Sequence, residues 1–423
     1  MSATGGRSKN DVAIWAIPLA YAAGALVCGT VMPRVASAVL PGLVSTISVN
    51  AASALYSAVA SGMIALTGIV FSLTFLMVQF SATAYSPRLV VWVARDPVMS
   101  HAMGVFTATF LYALAALAWV DRNGTGRVPL LGVVAVTALL LVSVIMFITL
   151  IQRVGLLQVS RMLIFTADQA RGVIDELYPP FAAPDSSRSA ETVPAEFAQS
   201  LVHRGRPLVV QSIRIPLLID LASRHDCVID LQTSVGDAVF DSAPLLHVFG
   251  STVPEDSLRD AIQLGDERTF EQDPKYAVRL LVDIAIKALS PAINDPTTAV
   301  QALDQIEDLL IRIGRRRLEI GAFRDARGKL RVLVGFPTWD DYLRLACDEI
   351  RFYGATSIQV MRRMNALMDD LLSTLPEARH AVVREWQERL HATVERSFAD
   401  QLERLDASAG DRQGFGITPR GPQ

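Results

Sequence analysis

Two short stretches gather side chains that could do chemistry. One is "ALSPAINDPTTA", residues 288 to 299, where Ser290, Asn294, Asp295 and Thr297 sit among two prolines and between two helical runs. A carboxylate, an amide, hydroxyls and the free N–H groups of a helix start can hold an ion or a partner loop. The same letters also describe a joint. Pro291 stops a helix because proline cannot donate and disfavours the α region before it. Asp295 is a strong N-cap, and Pro296 suits the first helical position. The second stretch is "LGDERTFEQDP", residues 264 to 274, with Asp266, Glu267, Glu271 and Asp273 beside Arg268. Paired acids can move protons or bind metal. At this spacing they read instead as a solvated face with an internal ion pair, and Arg268 and Asp273 stay as ligand or interface candidates.

Enzyme chemistry finds little other support. The six histidines are His101, His203, His225, His247, His380 and His391, and no two stand at metal-ligand spacing. GxSxG, P-loop and HExxH patterns are absent. No catalytic residue, metal or cofactor is expected. The net charge of -3 gives no reason to expect nucleic acid. Cys28, Cys227 and Cys347 form neither a disulfide framework nor a metal knuckle, which suits a reducing compartment.

The elements that must carry these residues divide in two. The chain has 423 residues, of which 51% are hydrophobic and 19% charged. Charge is sparse from residue 12 to residue 152 and dense afterwards. A spanning helix needs about 20 apolar residues. Uncharged runs of that length occur at 12–33, 56–80, 102–120 and 128–152. The first is too long for the apolar core of a signal peptide, so it is expected to stay as a span. The lipid bilayer is therefore one partner. Arg7 and Lys9, Arg88 and Arg95, and Arg153, Arg161 and Arg171 lie on one side. Arg34, Arg122 and Arg127 lie on the other. That bias is expected to put both termini and the second half on the cytoplasmic side.

The second span is the informative one. Ser61, Ala65, Gly68, Ser72 and Gln79 share a helical face. Small residues four apart let helices approach in lipid, which makes the face a packing seam. The alternative is a weakly polar pore lining that ends at Gln79, Tyr85 and Arg88. The spans as delimited hold no Asp, Glu, Lys, Arg or His, which disfavours a proton-coupled pump. A passive path for an ion or small solute is compatible with hydroxyls and amides. Four helices enclose little room, so a pore requires a homo-oligomer.

Beyond Gln152 the fourth span is expected to run on as one long helix that couples the two halves. "LVVQSIRI" and "CVIDLQTS" read as strands around a helix, and "VGDAVFDSAPLLHVFG" as turn, strand, turn, strand. That rhythm suggests a small barrel. From Pro254 the pattern is helical, with a hairpin near Ala326 to Lys329. Asp283 and Lys287 are an i,i+4 pair. Two helices, about 339–375 and 377–405, complete it.

The fold class expected is an α-helical integral membrane protein with four spans and a mixed α+β cytoplasmic domain, mostly helical with a small β-barrel-like module. The divisions are a cytoplasmic N-terminus at 1–11, the four-helix membrane domain at 12–155 and a connecting helix and linker at 156–196. A β-rich module follows at 197–253, then a helical domain at 254–406 and a disordered tail at 407–423.

"KALSPAINDPTTAVQALDQI" resembles the most distinctive stretch of a bacterial family of predicted membrane proteins, domain of unknown function 2254. "GIVFSLTFLMVQFSATAYSPRLV", "LGDERTFEQDPKYAVRLLVDIA" and "IRFYGATSIQVMRRM" resemble it as well. The resemblance runs nearly the whole chain and implies an integral membrane protein. It implies no activity. Two functions stay open: a channel-like homo-oligomer, gated by its cytoplasmic domain with the pore along the second span, and a membrane-anchored sensor or scaffold that binds a ligand or partner.

Overall fold

The computed structural model describes residues 16–39, 47–84, 97–120, 128–154, 159–181 and 196–417. Tyr85 and Arg88, most of the 182–196 linker and residues 418–423 lie outside them. The chain forms two compact units, residues 1–158 and 159–423.

Among the described residues the first unit holds four helices: α1 (Ala16–Val39), α2 (Val49–Ala84), α3 (Pro97–Trp119) and α4 (Leu130–Val154). Three stretches, Val49–Ser72, Val98–Trp119 and Leu130–Gln152, are long and apolar enough to cross a membrane. In α1 the apolar stretch is Ala16–Met32, which is shorter. Helix α3 is the hub. Its Phe106 packs near Leu150 of α4 at one end, and Ala113 and Ala116 near Val133 and Val136 at the other, so the two run antiparallel. Thr109 and Ser143 share a buried hydroxyl hydrogen bond of 2.9 Å midway. Such a bond links helices where water is absent.

Glycine sets how closely α1 and α3 approach. A Cβ on Gly104 would lie 2.7 Å from the Tyr21 ring, and one on Gly29 2.6 Å from Ala115. Tyr112 donates to the Met32 sulfur at 3.4 Å. The Arg34 guanidinium stacks 4.4 Å from the Trp119 ring. Contacts therefore advance together along both chains, and α1 and α3 run parallel.

In the second unit, α5 (Val159–Leu177) leads into β1 (Phe197–Val202) and β2 (Leu208–Ile213), then α6 (Ile215–Arg224) and β3 (Val228–Leu231). Next come β4 (Ala238–Val239), β5 (Pro244–Phe249), α7 (Glu255–Arg259) and β6 (Ile262–Gly265). The expected strand–helix–strand rhythm is present, but the barrel is not. One sheet has the order β1-β5-β3-β8-β7 and a second the order β4-β2-β6. Neither closes. The later hairpin, β7 (Ala322–Arg324) and β8 (Leu330–Leu333), joins the first sheet because β8 pairs parallel with β3. The hairpin itself was expected, but its pairing with a strand about a hundred residues earlier leaves no local signal.

The helical part begins with α8 (Pro274–Ala288) and α9 (Pro296–Gly314). The apolar stripe of α9, from Val300 to Ile313, is buried. Asp283 pairs with Arg279 at 2.7 Å. Where two long helices were expected there are four: α10 (Trp339–Tyr353), α11 (Ile358–Thr374), α12 (His380–Ser397) and α13 (Gln401–Ser408). Gly354 ends α10 under Val360, with room for no Cβ, and Ser357 caps α11. Asp400 caps α13 by accepting from Leu402 and Glu403. Of the tail expected to be disordered from 407, residues 407–417 are described, and Ala407, Arg412 and Gly414 touch α11 while Ile417 is exposed. Ala407 is buried, Asn365 donates to its carbonyl, and Arg412 pairs with Asp370. Helix α4 ends at Val154 and α5 begins at Val159, so the expected uninterrupted helix turns on residues outside those described.

Candidate functional site

On α2 the face predicted from spacing is real and longer than expected. Asn50, Ala54, Ser57, Ser61, Ala65, Gly68, Ser72 and Gln79 lie within about 40° of one line at 100° per residue. All are exposed, so among the described residues no other helix covers that stripe. A Cβ at Gly68 would meet nothing within 4 Å. The helix core instead faces α3 through Tyr56, Val59, Ala60, Met63 and Val70.

One expectation about the spans needs correction. The third span begins at Val98 and so contains His101, an ionisable residue. Its Nδ1 lies 3.2 Å from the Tyr21 hydroxyl, with the rings edge to face at 5.9 Å. The apolar run starting at Ala102 concealed it, because helix α3 starts five residues earlier than hydropathy alone suggests.

The Ser290–Thr297 loop is built as a joint. Ser290 Oγ turns back onto the Lys287 carbonyl at 2.7 Å. Asn294 takes a left-handed φ of +50°, a conformation asparagine tolerates. Asp295 accepts from Thr298 N at 3.1 Å with one oxygen and from Thr298 Oγ1 at 2.6 Å with the other. Both carboxylate oxygens are therefore engaged in capping α9. Thr297 is exposed.

Arg268 and Asp273 do meet, but not on a solvated face. Asp273 is only 2% exposed. It caps α8 by accepting from Tyr276 N at 3.1 Å, and it accepts from Arg268 at 2.7 and 3.0 Å. Burial pushes its carboxyl up, and the Arg268 charge pulls it back. Gly236, at φ +92°, lies so close that any Cβ there would overlap both side chains. The pair thus ties a turn of the sheet region to the start of α8. Close by, Tyr178 and Tyr342 share a buried hydroxyl hydrogen bond of 2.9 Å, and burial pushes the Tyr178 phenol up to about 12.

Sequence reasoning missed the ladder between α5 and α9. Ser160 donates to Gln301, Arg171 to Gln305 and Asp308, and Asp175 receives Arg312 and Arg316. The acids and bases alternate at helical spacing in both stretches, but their pairing is across about 140 residues. Among the described residues no group of three His, Cys, Asp or Glu is placed to hold a metal ion.

A family model described as a predicted membrane protein, domain of unknown function 2254, matches residues 12–370. The chain belongs to this family. The match takes in α2, the Arg268–Asp273 stretch and the Asp295 joint. Two similar proteins, both uncharacterised, come from Mycobacterium bovis and Mycobacterium tuberculosis. Each is 28% identical over 412 residues, covering 93% of this chain and 78% of the relative. No solved structure matches the chain.

Proposed function

We propose that the protein is a homo-oligomeric inner-membrane protein with a channel-like role, passing an ion or small solute along a path faced by α2 and gated by the second unit. The observation that carries this reading is the uncovered stripe from Asn50 to Gln79. Serine and asparagine side chains facing hydrocarbon are costly, so such a stripe calls for a neighbouring copy or for water. Copies arranged in a ring would present it to both. The finer reading includes four spans. The parallel contacts of α1 with α3, from Tyr21 to Arg34, support a crossing by α1 as well. The excess of Arg and Lys supports cytoplasmic termini.

The test is ion and solute flux through the purified protein in liposomes, with Ser72→Leu and Gln79→Leu reconstituted beside it. Flux that either substitution alters is the expected result. Absence of flux across a broad set of ions and voltages, from folded protein, would favour the membrane-anchored sensor or scaffold. The small residues Ala54, Ala65 and Gly68 suit that second reading, in which the stripe is only a packing seam.

A further inference from the structure

The helices packed around α9 in the second unit run in two opposed directions. Helices α5 and α9 run parallel, as the Ser160–Gln301 and Asp175–Arg312 contacts require. Helix α11 also runs parallel to α9. Arg363 donates to Asp304 near one end at 2.8 Å, and Arg315 to the Thr374 carbonyl near the other. Helices α8 and α10 point the opposite way. Tyr342 of α10 meets Tyr178 at the close of α5, and Glu349 pairs with Arg279 further along. One end of the bundle therefore gathers the starts of α5, α9 and α11 and the finishes of α8 and α10.

That end differs chemically from its opposite. At the far end the large aromatics are buried: Tyr178, Tyr342, Trp339 and Trp386. At the near end they are exposed. Phe352 and Tyr353 close α10 at 69% and 52% exposure. Ile164 and Phe165 lie in the second turn of α5, and Ile293 at the tip of the joint, all exposed. Phe415 is exposed too, and its neighbour Gly414 rests on Gln359 in the first turn of α11. Arg161 and Lys287 lie there, beside the Asp348–Arg351 and Asp406–Arg362 ion pairs, and the Asp295 carboxylate is engaged in its cap.

Only four residues, 155–158, separate α5 from α4 along the chain. The candidate span of α4 ends at Gln152. Aromatic rings and basic side chains are what the headgroup layer selects. We infer that this end of the bundle, with Ile293 and Tyr353 at its surface, is a lipid-contact face that rests in the headgroup region of a bilayer. The Ser290–Thr297 joint is then the tip of a membrane-surface contact. This inference does not depend on a pore.

The test uses the full chain with Cys28 replaced by alanine, since Cys28 is exposed while Cys227 and Cys347 are buried. Ile293→Cys, Tyr353→Cys and, at the far end, the exposed Ala378→Cys each receive an environment-sensitive nitrobenzoxadiazole dye. The variants are reconstituted into phosphatidylcholine–phosphatidylglycerol vesicles with and without lipids carrying a nitroxide just below the headgroup. The expected result is loss of fluorescence to the nitroxide at 293 and 353 and none at 378. Water-like emission at 293 and 353 without quenching would overturn the inference. So would a shifted but unquenched emission, which would mean that a second copy covers this end. Equal quenching at all three positions would also overturn it.

Discussion

At the residue scale, Asp295 and Asp273 do the same local job in different surroundings. Each caps a helix that proline opens. Asp295 is partly exposed, so Asp295→Ala is expected to cost about 1 kcal/mol, recovered largely by Asp295→Ser. Unfolding of the purified variants checks this, and flux lost at unchanged stability would instead make Asp295 a site residue. Asp273 is buried against Arg268, and removing the partner strands a charge. Arg268→Met is expected to destabilise by about 3 kcal/mol, and Arg268→Met with Asp273→Asn by less. The pH dependence has a definite sign. Asp273 has a folded pKa raised by burial, so it costs stability as pH rises from the ordinary carboxylate range through that raised value. Losing Arg268 raises it further. The deficit of the single variant should be greatest at neutral pH and shrink on acidification, as denaturant titrations at several pH values would show. The Asp295 cap was legible because proline and aspartate act locally. The burial of Asp273 was not, because it depends on Gly236 and Tyr276 closing over a run of charges.

At the scale of elements, glycine and ion pairs decide which helices hold together. Gly104 admits the Tyr21 ring and Gly29 admits Ala115, so Gly104→Leu should separate α1 from α3. The expected loss is about 1–3 kcal/mol from overpacking. Thermal unfolding in detergent reads it, and no change would mean that α1 packs more loosely than described. Asp175 joins Arg312 and Arg316 at the close of α5. These groups are partly exposed, so Asp175→Ala should cost no more than about 1 kcal/mol. Its signature should be faster amide exchange across 159–177 with the sheet strands unchanged. Helical periodicity disclosed the buried face of α9 and the hairpin at Gly328. It ran past the breaks at Gly354 and Asp400, because an apolar stripe can continue through a turn that changes direction.

For the whole molecule, the proposed oligomer would set a neighbouring copy against the exposed stripe on α2. Ser61→Cys in a Cys28→Ala background should form a disulfide between copies under mild oxidation in membranes, if the stripe faces itself across a two-fold axis or a narrow ring. A persistent monomer band under oxidation would count against the oligomer and against the pore together.

The sequence by itself determined the apolar spans, the capped joint at Asp295 and the family, because hydropathy, proline and a contiguous motif are local properties. The tertiary structure alone decided the rest. It put β8 beside β3, buried Asp273, brought His101 to Tyr21 and left the α2 stripe uncovered. It also gathered Phe352, Ile293 and Phe415 at one end of a bundle, although more than a hundred residues separate the first and last of them. Each of these depends on which distant segments pack together, and that free energy is set by surfaces meeting across the fold and not by any one stretch of chain.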